Sequence, residues 1–403
     1  MDTYNSNKSR REFIKSMALA GSVSSALVGC TKKGPRGKEL KLYGLGTLNI
    51  GSVARGVGKP QMGRGGWDDF SKVADAEIAF YDNKNDPGPV ITQMVAGTAA
   101  RDYHLGALQG GAEKDLVKRL IPWDTSKIPN WKTMWEWAKD ISYTRVDGKQ
   151  YGLPVVINAD SIIYLPDEIK QISGYESGII DSYAAVFDRR LRGKTAMEDA
   201  WINSVIFAAI FLRSSGQVSI NKPGDLTETE LKQVMEFLME HKKAGQFRTF
   251  WRGWEQGVSL VASKEVIAMT GWEPIVYAAR KQGIDARYAV PKEGYEGWSN
   301  DLLLHEGANN DALIELAHQF ADWELGGYYG AELAAQSGYI VPNDTTEKWA
   351  AANLEGKARD DLTSKIANVR DKFKLKKGEQ YWQNVRPENY RLYEEWWTKL
   401  RNL

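Results

Sequence analysis

Cysteine and histidine are scarce in this sequence of 403 residues, which has one of the former and four of the latter. A single cysteine cannot form a disulfide within the chain, and four scattered histidines cannot build a usual zinc site. Neither sign of charge is in excess, because 53 Lys and Arg stand against 52 Asp and Glu. This balance argues against a broad cationic surface for nucleic acid. We therefore expect a globular chain of two or three domains that uses no metal, no cofactor and no nucleic-acid partner.

Two motifs of common enzymes are also missing. The chain has no G-x-x-x-x-G-K-S/T stretch to hold nucleotide phosphates and no G-x-S-x-G turn to present a nucleophilic serine. What the chain has in quantity is aromatic residues, with 15 Trp, 18 Tyr and 11 Phe. Aromatic side chains fill hydrophobic cores, and they also form the walls of ligand clefts. Composition alone does not separate these two uses.

The first thirty residues have the features of an export signal. The pair Arg10-Arg11 precedes a mildly apolar stretch, Met17 to Val28, which is too short for a bilayer core that needs about 20 apolar residues. The segment resembles a twin-arginine signal peptide, and Leu27-Val28-Gly29-Cys30 resembles the lipobox of bacterial lipoproteins. We predict a signal peptide at residues 1–29, a lipid anchor at Cys30 and a polar tether over residues 30–38. The alternative is a disordered basic tail that contains a cysteine by chance.

Export by this route also restricts the function. We expect a lipoprotein anchored to a membrane in the periplasm, where no pool of ATP or NAD is available. Kinases and dehydrogenases are therefore poor candidates.

Strands and helices alternate along the first part of the chain. Leu40–Leu45, Ala76–Tyr81 and His104–Leu108 have strand patterns, and Val90–Arg101 has the pattern of an amphipathic helix. This alternation predicts a mostly parallel sheet, in which ligands bind beyond the carboxyl ends of the strands. The loops after the three strands are therefore candidate ligand sites, and their candidate residues are Asn49, Tyr81 and Gln109.

A second α/β block follows an extended segment, Tyr151 to Asp160, that we interpret as a crossover between two lobes. Asp160 ends this crossover and is a candidate site residue. The later patterns predict helices at 199–214, 227–241, 274–282 and 311–325, and strands at 266–270 and 286–290. The stretch from Phe250 to Trp254 has the pattern of a loop.

Four stretches resemble the spermidine/putrescine-type solute-binding proteins of bacterial ABC transporters, over most of residues 40–345. They are Gly148 to Pro154, Ala268 to Trp272, Val290-Pro291-Lys292-Glu293-Gly294 with Trp298 four positions later, and Gly338 to Asn343. The resemblance implies an α/β, two-lobed periplasmic-binding-protein-like fold of type II, hinged by crossover strands. Lobe 1 would comprise residues 39–155 and 302–345, and lobe 2 residues 156–301. Residues 346–403 would form a C-terminal helical segment that packs on the lobes.

The resemblance also implies positions for the ligand site. Trp272 and Trp298 match two aromatic walls, and Asp199 matches a carboxylate of the second lobe. Two acids of the amine-binding members are replaced, by Asn300 and by Ile202. A buried ammonium without a counter-ion costs several kcal/mol. A monoamine, an amide or a neutral polar solute therefore fits these positions better than a long polyamine does.

The function that we expect is capture of a small organic solute between two lobes by a monomeric, lipid-anchored protein that delivers it to an inner-membrane ABC permease. Such a protein is not an enzyme. Two alternatives stay open. An exported carbohydrate-active enzyme would need two carboxylates roughly 5–10 Å apart across a cleft. A sensor lipoprotein on the same fold would have no role in transport.

The twin-arginine interpretation can be tested by substitution. Replacing both Arg10 and Arg11 with Lys keeps the charge but removes the pair that the export machinery reads. We expect cell fractionation to show uncleaved precursor in the cytoplasm for this variant, whereas Lys8→Arg leaves export unchanged. Normal export of the double variant would instead indicate the general secretory route.

Overall fold

The computed structural model describes residues 38–44, 70, 73–82, 87–98, 102–373, 381–383 and 385–403. The predicted signal peptide, the anchor Cys30 and the candidate Asn49 lie outside these residues. Within the described ranges, no helix combines the length and the apolar character that a membrane span requires.

Twelve strands are present among the described residues. They are β1 (Lys38–Gly44), β2 (Ala76–Asp82), β3 (Leu105–Gln109), β4 (Arg145–Val146), β5 (Lys149–Gln150), β6 (Gly152–Tyr164), β7 (Thr195–Glu198), β8 (Phe247–Trp251), β9 (Ala268–Gly271), β10 (Arg287–Tyr288), β11 (Glu296–Leu304) and β12 (Tyr381–Trp382).

The α-helices of the same residues lie between and after these strands. They are α1 (Pro87–Val95), α2 (Ala112–Leu116), α3 (Glu136–Lys139), α4 (Pro166–Ile169), α5 (Ala184–Phe187), α6 (Trp201–Ser214), α7 (Glu228–Lys243), α8 (Gly253–Ala262), α9 (Glu273–Lys281), α10 (Asp311–Glu324), α11 (Gly327–Ser337), α12 (Asp344–Asn353), α13 (Gly356–Lys372) and α14 (Tyr390–Arg401).

The strands and helices follow the sequence patterns with two differences. The helix predicted to reach residue 101 ends at Val95, because Gly97 adopts a left-handed φ of 76° that stops it. The prediction of a loop around Trp251 is wrong. Residues 247–251 form β8, which pairs with β7 in parallel and buries the Trp251 indole completely.

One long strand joins the two halves of the sheet, whose order is β2-β1-β3-β11-β6-β9-β7-β8. Strand β6 has thirteen residues, and all of them are buried, as expected for a nearly continuous apolar run. Residues 152–160 of β6 pair with β11, and residues 161–164 pair with β9. We call the antiparallel pair of β6 and β11 the crossing ribbon.

Two large hydrophobic clusters meet along β6. The first is built around β1, β3, β11 and α10, and it ends along β6 at Ala159. The second begins along β6 at Ile162 and includes α6, α7 and β9. We call them lobe 1 and lobe 2. The last two helices divide between them, because Ile366 of α13 packs in lobe 1 and Trp397 of α14 packs in lobe 2.

Lobe 1 contains a buried pair of acids, Glu113 on α2 and Asp301 on β11. Burial raises the pKa of Glu113 well above its usual value, with a further increase from Asp301, and burial raises the pKa of Asp301 to about 6. Glu113 Oε1 and both carboxyl oxygens of Asp301 are buried without a hydrogen-bond donor among the described residues, which favours a proton on one of the two acids. The backbone of β6 passes close by at Gly152, where any β-carbon would collide with Glu113 Oε1.

This pair gives a testable pH dependence of stability. The folded state retains protons that the unfolded chain releases near pH 4, so the contribution of the pair to stability is full below about pH 4 and is lost as the pH rises through the raised pKa values. We predict that Glu113→Gln, whose amide can donate to Asp301 and accept from the Gly111 N–H, increases the free energy of unfolding at pH 8 by about 1–3 kcal/mol.

Urea unfolding at pH 5.5 and pH 8 measures this effect, and the exposed substitution Glu395→Gln serves as the control. If Glu113→Gln lowered the free energy of unfolding equally at both pH values, the result would contradict a proton held by the Glu113–Asp301 pair.

Candidate functional site

Four polar or aromatic side chains lie on one face of the crossing ribbon. In the antiparallel register, Asn158 is opposite Trp298 and Asp160 is opposite Glu296. Directly opposed residues share a face, and so do residues two apart on one strand. The ribbon therefore presents two carboxyl groups and an indole side by side at the point where the two lobes meet.

Asp160 and Glu296 line a small cavity together with Glu198, which is the last residue of β7. The remaining lining comes from Ser161, Asn203, Ser204, Phe207, Thr270 and Gly271. Asp160 and Glu296 are buried, and Glu198 keeps part of its side chain accessible while its carboxyl group is enclosed. The cavity has a volume of about 10 Å³ in this conformation. This is room for about one water molecule.

Burial raises the pKa of all three carboxyl groups above the usual range of acids. Burial raises the pKa of Asp160 to about 7, despite hydrogen bonds from Gln383 and Trp298 that act in the opposite direction. Burial raises the pKa of Glu198 to about 8, and the charge of Asp160 adds to the increase. Burial, followed by repulsion from Asp160 and Glu198, raises the pKa of Glu296 well above its usual value. One oxygen of Glu296, Oε1, is buried and has no hydrogen-bond partner among the described residues.

Both tryptophans that the sequence singled out contact these carboxyl groups. Trp298 donates its indole N–H to Asp160 Oδ1 at 2.9 Å and meets the ring of Tyr339 edge-on at 5.2 Å. The Trp272 side chain is close enough to Glu198 to lower its pKa, and its ring meets the buried Trp251 ring edge-on at 5.0 Å. The structure thus brings Trp272, Trp298 and Asp160 together. Their role in binding a ligand stays a prediction.

A buried ion pair lies next to this cavity and includes the C-terminal part of the chain. Lys372, the last residue of α13, donates to Glu273 Oε2 at 2.7 Å and to Asn158 Oδ1 at 2.9 Å. Burial alone would raise the pKa of Glu273. The charge and hydrogen bond of Lys372, together with hydrogen bonds from Asn368 and Asn158, instead hold this pKa below its usual value. Gln383 donates to Asp160 Oδ2 at 2.7 Å.

The other predicted site residues lie elsewhere. Asp199 points to the C-terminal helix, where its carboxylate accepts from Arg252 Nε at 2.7 Å and from Trp397 Nε1 at 2.9 Å. Its side chain is on the opposite face from that of Glu198, because neighbouring residues alternate at the end of a strand. The assignment of the lobe 2 carboxylate to Asp199 therefore differs from the structure by one residue.

Asn300 is completely buried within lobe 1, where β11 pairs with Gln109 on one side and with Val156 on the other. It is not among the residues that line the cavity. Gln109 is half-buried at the end of β3, and Tyr81 is 43% exposed on the edge strand β2. This placement does not support a position for Asn300 in the ligand site.

Sequence reasoning missed several residues at the junction, which is the point where the crossing ribbon meets the two lobes. Among them are Glu198, Glu273, Glu296, Lys372 and Gln383. Glu296 stands two residues before Trp298, so strand alternation could have placed it on the same face. No sequence signal indicated that Lys372 and Gln383, far along the chain, reach the crossing ribbon. Within the described parts of the chain, no group of three His, Cys, Asp or Glu has a geometry that could hold a metal ion.

Comparisons with known proteins agree with this architecture. The chain is 23% identical over 196 residues to the putrescine-binding periplasmic protein SpuD of Pseudomonas aeruginosa, and the match spans 46% of this chain and 51% of SpuD. The chain thus spans about half the length of this curated relative.

Two solved structures share the fold at low sequence identity. The TpPotD lipoprotein of Treponema pallidum has a TM-score of 0.66 and 17% identity, over 91% of this chain and 100% of that chain. The spermidine/putrescine substrate-binding protein PotD of Streptococcus pneumoniae has a TM-score of 0.66 and 12% identity, over 91% of this chain and 99% of that chain. The two-lobed α/β fold that was predicted from the sequence is therefore confirmed.

A family model matches the greater part of the chain. It describes the bacterial extracellular solute-binding proteins, and it matches residues 69–356, which contain the crossing ribbon and all three cavity carboxyl groups. This chain belongs to the bacterial extracellular solute-binding protein family.

Proposed function

We propose that this protein is the substrate-binding component of an ABC importer and that it captures a small organic cation, a primary alkyl amine, between its two lobes. The observation that carries the proposal is the cavity lined by Asp160, Glu198 and Glu296. An ammonium group satisfies carboxylates by ion pairs and charge-assisted hydrogen bonds. Trp272 and Trp298, which contact two of these carboxyl groups, supply aromatic surface for the carbon chain.

The cavity explains why capture requires lobe movement. Its volume of about 10 Å³ does not admit an alkyl amine, so a solute can enter only when the lobes are further apart. The ribbon carries Asp160 and Glu296, and lobe 2 carries Glu198, so a bound ammonium would contact both. Such differential contacts are what shifts a two-lobed protein toward its closed state.

The proposed partners follow from the family and from the relatives. One solved relative is named as the substrate-binding protein of a spermidine/putrescine ABC transporter, and another is named as a lipoprotein. For this chain we propose delivery to an inner-membrane permease by a monomer that a lipid on Cys30 anchors in the periplasm. We propose an amine, where the sequence alone favoured a monoamine, an amide or a neutral solute. The reason is that Glu198 and Glu296 supply carboxyl groups that positions 202 and 300 lack.

The enzyme alternative has one observation in its favour. More than one carboxyl group lies at the junction, as hydrolysis of a glycosidic bond would need. Membership in a solute-binding family favours transport instead. Incubation with a panel of chromogenic glycosides distinguishes the two, because the transport proposal predicts no product above the rate without protein.

The first test of the amine class is substitution of Glu296. We predict that Glu296→Gln weakens binding of 1,4-diaminobutane by tenfold or more, because it removes a negative charge from the ammonium site. The free energy of unfolding should stay the same or rise, since a buried acid without a full set of partners is replaced by a neutral amide. Titration calorimetry and urea unfolding measure the two quantities.

The matched control is Glu255→Gln, which removes an exposed carboxylate at the start of α8. Mono-, di- and polyamines and their amide counterparts form the ligand panel, with the melting temperature as the readout. Stabilisation by amides and not by amines would contradict the amine class. No stabilisation by any amine would remove the support for solute capture at this cavity.

The second test is the pH dependence of amine binding. Asp160 and Glu198 lose their protons only as the pH rises through their raised pKa values of about 7 and 8, and a bound cation requires their ionised forms. We predict that binding releases protons and that affinity rises by tenfold or more from pH 6 to pH 8.5, because the amine itself stays charged up to about pH 10.

Calorimetry at pH 7.5 in phosphate and in Tris, whose ionisation enthalpies differ, counts the released protons. Equal binding enthalpies in both buffers, together with a flat pH profile, would contradict ionisation of these carboxyl groups on binding.

A further inference from the structure

Lys372 lies in a set of contacts that we call the ammonium cage, formed by Asn158, Glu273 and Tyr288. The side chain of Lys372 is almost fully buried, with 2% exposed. Its ammonium donates to Glu273 and Asn158, and it lies over the ring of Tyr288, 4.7 Å from the centroid. The distance from the Lys372 ammonium to the centroid of the Tyr295 ring is 5.9 Å.

The chemistry of this cage is that of a site for a free primary ammonium. A carboxylate provides charge, an amide oxygen accepts a hydrogen bond, and an aromatic face stabilises the cation through its quadrupole. A buried ammonium costs several kcal/mol unless all of its donors are satisfied, and here the cage provides the partners. None of the three cage residues lines the three-carboxylate cavity, so the cage is a separate site.

The occupant of the cage comes from outside the part of the chain that the family model matches. That match ends at residue 356, and α13 begins there. Helix α13 is anchored in lobe 1 through Leu362, Ile366 and Val369. Next to Lys372, Phe373 stacks between the rings of Trp137 and Trp382, at centroid distances of 4.5 and 5.7 Å.

The cage itself joins the two lobes. Glu273 begins α9 and Tyr288 lies on β10, both on the lobe 2 side, whereas Asn158 belongs to the crossing ribbon. The Lys372–Glu273 pair therefore connects lobe 1 to lobe 2, and any separation of α13 from α9 removes the ammonium from the cage. A groove of about 530 Å³ between these two helices reaches Glu273 and Tyr288, so a small amine has a path from solvent.

We propose that Asn158, Glu273 and Tyr288 form a second ammonium subsite, that the side chain of Lys372 occupies it in this conformation, and that a primary alkylammonium group binds there when Lys372 is displaced. The proposal deepens the proposed function, because a solute with two ammonium groups could then use both the cavity and the cage. Lys372 acts as a built-in competitor for the second group.

Chemical rescue tests the cage without any knowledge of the natural solute. Lys372→Ala deletes three methylenes and the ammonium, which is the outline of propylammonium. We expect the melting temperature of the variant to fall and 50 mM propylammonium to restore at least half of the loss, with little effect on the wild type. Propanol, which has no charge, should restore nothing. Lys357→Ala, an exposed change on the same helix, is the control for loss of a lysine.

The double variant Lys372→Ala/Glu273→Gln should lose the rescue, because the cage then lacks its carboxylate. Rescue that persists in the double variant, or no rescue of Lys372→Ala, would overturn the proposal. If Lys372→Ala is not recovered in folded form, the yield of refolding from urea with and without propylammonium gives the same decision. Failure of this test is distinct from failure of the proposed function, which is measured at Glu296 with Lys372 in place.

Discussion

Four carboxyl groups and one ammonium are removed from water where β6 and β11 cross between the lobes, and the chemistry of the site depends on how these charges are neutralised. Removing an ion from water costs several kcal/mol even after the protein relaxes. Lys372 neutralises Glu273, whose pKa stays below its usual value. Among the described residues, Asp160, Glu198 and Glu296 form no ion pair of this kind, and burial raises the pKa of each of them. The raised pKa values favour protonated carboxyl groups at the point where the two lobes meet.

The arrangement of the chain makes the neutralisation sensitive to the distance between the lobes. The crossing ribbon runs from one hydrophobic cluster to the other, so it carries Asp160 and Glu296 at the boundary of both. The C-terminal part forms a second connection, since α13 packs in lobe 1 and α14 in lobe 2. Lys372 and Gln383 reach the ribbon from this connection. Charges that pair across a junction lose their partners when the junction opens, whereas apolar contacts within each lobe do not.

Sequence patterns located candidate side chains near the crossing ribbon where a local pattern determined the position of the side chain. Trp272 and Asp160 follow or end strands near the crossover, and Trp298 lies within a strand that crosses it, so the pattern placed all three near the junction. For the lobe 2 acid the sequence offered Asp199, whereas Glu198 lines the cavity, because the end of β7 decides which of two adjacent acids faces it. The expectation drawn from Asn300 concerned the charge of the site. It assumed that lost acids leave the site without charge, whereas Glu198 and Glu296 supply carboxyl groups from other positions.

The sequence by itself determined the class of fold, because the periods of strands and helices and their alternation are local properties of the chain. It also determined that this chain resembles solute-binding proteins, through short stretches such as the one that ends at Trp272. Only the tertiary structure decided which charges share the junction. Lys372 is 99 residues from Glu273 and 214 from Asn158 along the chain, and its 2.7 Å contact with Glu273 exists only because α13 packs against the ribbon. Contacts of that separation depend on the packing of whole elements, which no local pattern contains.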